Sequence, residues 1–189
     1  MEEIITSLQD WEAVRSQPDL LIELFSHNLG FELDVSQFPP KKPLHAYAAI
    51  KNGEFGFYVI SEVNDIESPD EVLSSNCYWC PCVNAFTNPQ EIPQAVAISR
   101  VNSWRNNYRE WINEVVNTPF EMYEIFYIPT EGLKRERYMA LFALKNNDIT
   151  PTSLEADLVL VNNSGVCYDT IHGEPPYRDK PKYYILNLI

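Results

Sequence analysis

His45-Ala46-Tyr47-Ala48-Ala49-Ile50-Lys51-Asn52-Gly53-Glu54-Phe55-Gly56-Phe57-Tyr58-Val59-Ile60 is the stretch on which the fold turns. Asn52-Gly53 separates two runs dense in apolar residues, and both residues tolerate the positive φ of a two-residue hairpin turn. A turn there pairs Ile50 with Phe55, Ala48 with Phe57 and Ala46 with Val59 on one face. The other face then carries Ala49 with Gly56, Tyr47 with Tyr58 and His45 with Ile60. Both faces are largely apolar, so the hairpin is expected to be covered on at least one side and partly on the other.

Upstream, Ser7 followed by Asp10 reads as a helix start, and Leu8, Trp11 and Val14 recur at helical spacing until Pro18. Pro18 suits the first turn of a second helix with Leu21, Ile22, Leu24 and Phe25 as its apolar stripe, and Gly30 as its stop. Residues 62–76 read as an acidic loop without a basic side chain. A long helix is expected over roughly 93–117, where Val101, Trp104, Tyr108, Trp111, Ile112 and Val115 are spaced by threes and fours. Five further strands are expected at Phe120–Ile128, Tyr138–Leu144, Leu154–Val161, Val166–Ile171 and Tyr183–Ile189. The order predicts one α+β domain over residues 1–189. Its mostly antiparallel sheet would comprise the hairpin and a C-terminal meander, with two N-terminal helices and one long central helix packed on it.

The chain has 189 residues, 45% apolar and 22% charged, the profile of an ordinary globular protein. No apolar run approaches the ~20 residues of a membrane span, and the acidic Met1-Glu2-Glu3 start differs from a secretory leader. A soluble, cytoplasmic protein is the expectation. Net charge is −13, and residues 1–80 hold 14 acidic and 4 basic side chains. Such a field repels phosphate backbones and anionic lipid and attracts a basic protein.

Three of the four cysteines fall in Cys77-Tyr78-Trp79-Cys80-Pro81-Cys82. With Cys167 or His172 they could complete a tetrahedral zinc site, although such sites more often use two separated ligand pairs. A thiol-redox reading is weaker, because the Trp-flanked Cys80–Cys82 gap is one residue where thioredoxin-like motifs have two. His45 shares a hairpin face with Tyr47 and Tyr58, a possible acid–base pocket, but no carboxylate partner can be named from the sequence. His27 suits a helix C-terminus. Six glycines form neither a phosphate loop nor a dinucleotide fingerprint, and there is no GxSxG or HExxH. Asn162-Asn163-Ser164 fits a glycosylation sequon.

Three functional readings follow. The first is a non-catalytic protein-binding module, inhibitor or immunity-like, presenting Glu62, Asp65, Glu67, Asp70 and Glu71 to a basic partner. The second is a zinc- or thiol-dependent protein built on Cys77, Cys80 and Cys82. The third is a small-molecule binder or enzyme whose sheet curls around a pocket lined by His45, Tyr47 and Tyr58.

Overall fold

The computed structural model describes residues 1–83, 95–118, 122–146, 153–168 and 183–189, and the backbone of 172–174. The hairpin forms as its sequence dictates. β2 (Leu44–Lys51) and β3 (Glu54–Ser61) pair from Leu44–Ser61 to Lys51–Glu54, in the register expected residue for residue. Asn52 and Gly53 take positive φ, 52° and 80°, the mirror-image turn whose twist matches the strands it joins.

β1 (Gly30–Asp34) precedes this hairpin, and β4 (Tyr78–Val83), β5 (Ile125–Ile128), β6 (Arg137–Asn146), β7 (Leu154–Asn162), β8 (Cys167–Tyr168) and β9 (His172–Glu174) follow it. The nine strands form one sheet in the order β8-β7-β6-β1-β4-β3-β2-β5-β9, with every pairing antiparallel. The α+β class with an antiparallel sheet is therefore as expected. The meander is confined to β6, β7 and β8, while β5 and β9 lie beyond the hairpin at the opposite edge. β8 and β9 sit at the two ends of this order, yet only residues 169–171 separate them in the chain. At ~3.8 Å per peptide the two edges can be no more than roughly 15 Å apart, so the sheet must curl back on itself.

The helices are α1 (Glu2–Val14), α2 (Pro18–Ser26), α3 (Asp70–Asn76) and α4 (Ala95–Val116). α1 begins five residues before Ser7, whose hydroxyl donates to Glu3 O inside the helix and does not cap it. Pro18 opens α2 as expected, and His27 takes its C-terminal boundary position. Gly30 starts β1, a strand the sequence reading missed. The acidic stretch contains α3, and the cysteine stretch is strand β4. Tyr183–Ile189, expected as a strand, holds a 3₁₀ turn at Tyr184–Leu188.

The period-2 alternation splits each strand between two environments. Ala46, Ala48, Phe55, Phe57, Phe126 and Phe142 face the large aromatic core, which α2 and α4 cover with Phe25, Trp104 and Trp111. There Phe25 meets Phe55, Trp104 and Phe142 edge-on, with ring centroids 5.1–5.3 Å apart. Edge-to-face geometry of this kind satisfies the ring quadrupoles. Tyr47, Ala49, Tyr58 and Ile60 face the other way, against Ile4 and Leu8 of α1, Leu73 of α3, and Ile185 and Leu186 of the final turn. Both hairpin faces are thus buried. Gly56 has a steric role here: a Cβ at this position would stand 2.6 Å from Cys80 O and 2.7 Å from the Trp79 ring.

Candidate functional site

His45 and Tyr47 project from the same face of β2, two residues apart, and meet Asp65 just past the end of β3. Asp65 Oδ2 accepts the Tyr47 hydroxyl and pairs with His45 Nδ1 at 2.6 Å. A carboxylate oxygen only accepts, so Nδ1 is the donor in that contact. Asp65 Oδ1 accepts the backbone N–H of Ile185 at 3.2 Å. One side chain thereby ties together β2, the segment after β3 and the final turn of the chain.

The cluster is closed to solvent. His45 is 1% exposed and Asp65 3% exposed, and the imidazole is covered by the rings of Tyr183 at 4.7 Å and Tyr127 at 5.9 Å. Burial first, and the Asp65 charge second, push the Tyr47 phenol well above its ordinary range, so it stays a neutral donor. An Asp-oriented histidine is half of a general-base arrangement. Here, however, both residues lie under packed side chains, where a substrate has no approach. The geometry does what a buried polar network does well, fixing one arrangement of three segments.

Asp65 is therefore a correction to the sequence-based surface. It cannot meet a partner, because both its oxygens are committed inside the fold. Tyr58 is also separate from His45 and Tyr47 in role: its ring packs on Trp79 at 4.9 Å. Its hydroxyl feels Ser7 and Lys51 but forms a well-aligned hydrogen bond with neither. Among the described residues, the face holding these three is occupied by α1, α3 and the final turn, which fill the expected pocket. Across the sheet, a cavity lined by Trp11, Phe25, Phe55, Trp104 and Phe142 measures only about 10 Å³, room for at most one water.

The cysteines do not converge. Cys80 and Cys82 sit on the core-facing side of β4, Cys77 packs with the α1 and α3 side, and Cys167 belongs to a third cluster with Ala97, Val101 and Val159. All four are free thiols, and no group of three His, Cys, Asp or Glu suited to a metal exists among the described residues. The side chain of His172, named for the same site, lies outside the described residues. Strand alternation is the physical reason: residues 77 and 80 are an odd number of positions apart, so they face opposite sides. Burial pushes the Cys77 and Cys82 thiols well above their ordinary range and Cys80 up to about 12. Thiols held protonated this way are poor nucleophiles and poor ligands. The sequon also fails on geometry. Asn162 is buried, its side chain bonded to Glu136 Oε1 and to the backbone N–H groups of Ser164 and Val166.

What remains exposed in this region is a mixed surface that the sequence reading only half identified. Glu67, Asp70 and Glu71 are exposed and Glu62 is partly so. Between them stand Val63, Ile66 and Val72, at 41%, 57% and 48% exposure. α3 turns Leu73 into the core and leaves Val72 outside. Asn64 Nδ2 donates to Asn76 Oδ1 at 3.0 Å, tying the loop to the end of that helix. The aliphatic members escaped the sequence reading because a lone Val or Ile in a polar segment gives no periodic signal.

No family model matches the chain, and no curated protein or solved structure matches it either. Among the described residues, no helix is long and apolar enough to cross a membrane.

Proposed function

We propose that this chain is a non-catalytic binding module that docks a basic protein on the surface formed by residues 62–72, in the manner of an inhibitor or immunity protein. The observation that carries this reading is the trio Val63, Ile66 and Val72 exposed among Glu62, Glu67, Asp70 and Glu71, with no basic residue between 62 and 76. Aliphatic side chains supply contact area at an interface, and the surrounding carboxylates select a positive partner and speed encounter. The Asp65 cluster supports the same reading, since a pinned loop loses less conformational freedom on binding. The chain's net charge of −13 disfavours nucleic acid. Free, protonated thiols suit a reducing compartment, which agrees with a cytoplasmic setting.

The test starts from partners captured by chemical cross-linking in cells, each purified and titrated against this protein. A true partner binds the native chain and loses affinity at least tenfold as salt rises from about 50 to about 500 mM. It loses it again with the E67K/D70K/E71K variant, and separately with I66S/V72S. Binding indifferent to salt and to both variants, for every captured partner, would refute the proposal.

A further inference from the structure

The Asp65 contacts couple the docking surface to a part of the chain far from it in sequence. Asp65 lies between Val63 and Ile66, and its backbone N–H donates to Ser61 O at 3.1 Å while the Asn64 N–H donates to the same oxygen at 2.8 Å. Its side chain, pointing inward, receives the Ile185 N–H, and that turn is itself closed by Leu186 N–H donating to Tyr183 O at 3.1 Å. Tyr183, Ile185 and Leu186 are all buried against the hairpin face. Tyr183 also covers His45, whose Nδ1 holds the same carboxylate.

We infer that residues 183–189 act as a clasp: with the turn seated, Asp65 is drawn inward and the loop presents Val63 and Ile66 outward, and displacing the turn releases the loop. Asp65 is then the positioning residue of the docking surface, and whatever competes with or removes the final turn regulates that surface. The inference rests on the docking reading for its consequence alone, because the coupling is a property of the free protein.

The physical basis is a shared acceptor. When Ile185 N–H leaves, Asp65 Oδ1 is a buried carboxylate oxygen without its donor, an arrangement that favours rotation of the side chain toward water. Rotation cannot occur without also breaking the contacts to His45 and Tyr47, which lie on a rigid central strand. The loop backbone is the compliant member, so the strain falls on residues 62–66. The traffic runs both ways, since anything that pulls Asp65 outward unseats the turn by the same linkage.

Amide hydrogen exchange on the full chain tests this without any partner. Ile185→Pro removes the backbone donor together with part of the buried Ile185 packing, and Leu186→Ala trims the packing of the same turn while leaving the N–H in place, so it controls for the lost packing. The Asn64 and Asp65 amides are expected to exchange at least about tenfold faster in Ile185→Pro than in the native chain and to change far less in Leu186→Ala. The amides of Leu158 and Leu160 in the sheet serve as the control for global unfolding. Native rates at Asn64 and Asp65 in Ile185→Pro, or equal acceleration in both variants, overturn the clasp. Should Ile185→Pro fail to fold, Asp65→Ala, which leaves the Ile185 N–H without its acceptor, is read from the other end. Faster exchange at Leu186 supports the coupling and an unchanged rate overturns it. Loss of partner binding on charge reversal leaves these rates untouched, so the two proposals fail separately.

Discussion

Replacing Asp65 by alanine is the most informative single perturbation of this protein. The substitution strands three donors: His45 Nδ1–H, the Tyr47 hydroxyl and the Ile185 N–H. A buried donor without an acceptor costs about 1–3 kcal/mol, so the gross loss is roughly 3–9 kcal/mol. Against this, the variant no longer desolvates a carboxylate, which returns several kcal/mol, and removing one partner of a buried pair nets about 3–5 kcal/mol. About 4 kcal/mol is thus expected for D65A. Y47F should cost about 1 kcal/mol, because it deletes one donor and leaves Asp65 its two others. The assay is urea unfolding followed by tryptophan fluorescence, with Trp11, Trp104 and Trp111 buried in the core as reporters. With a slope of about 2 kcal/mol per molar for a chain of this size, D65A should lower the midpoint by about 2 M. The exposed control E67A should move it by no more than about 0.25 M. A D65A midpoint within about 0.5 M of the native one would refute the reasoning, since Asp65 would then be behaving as the surface acid its sequence context suggests.

Three other outcomes are expected. Cys77, Cys80 and Cys82 are held protonated by burial, whereas in the unfolded chain they ionise around the ordinary value of 9.0. The unfolded state therefore binds fewer protons above pH 9, and stability falls as pH rises, by about 1.4 kcal/mol per pH unit for each thiol and about 4 for the three. It is fully present below pH 9, and for Cys80 the loss runs on to about pH 12. Urea midpoints between pH 8 and 11 check this, with a C77A/C80A/C82A variant expected to flatten the slope. Gly56→Ala places a methyl 2.6 Å from Cys80 O and should destabilise by about 1–3 kcal/mol, read in the same assay. The E67K/D70K/E71K variant should unfold within about 0.5 M of the native midpoint, because relief of self-repulsion offsets the unfavourable lysines in the first turn of α3 and no buried contact is touched. A large loss of stability there would show that these acids are structural.

The hairpin was legible because its information is local. A positive-φ dipeptide and two strands of fixed alternation specify register within sixteen residues, and neither depends on the rest of the chain. α4 was legible for the same reason, its stripe being written at helical spacing. β1 and β4 were not. Phe31-Glu32-Leu33 is too short to show a period, and Cys77–Cys82 drew attention as chemistry when its alternation was the signal of a strand. The final 3₁₀ turn was misread because Tyr183-Tyr184-Ile185-Leu186 is an apolar run, and such runs do not declare their backbone conformation. Its backbone N–H groups bond to Asp65 and to Tyr183 O, so no neighbouring strand was needed.

By itself the sequence determined the class of fold, the hairpin and its register, the long helix, and a negative field concentrated in the first eighty residues. These follow from turn stereochemistry, periodicity and charge, all of which act over short chain distances. The tertiary structure alone decided which acids remain available, that Cys77 faces away from Cys80 and Cys82, and that His45 finds its carboxylate in Asp65. Asp65 is 20 residues from His45 and 120 from Ile185, and contacts at that separation exist only once the sheet has curled and both ends of the chain have closed over it.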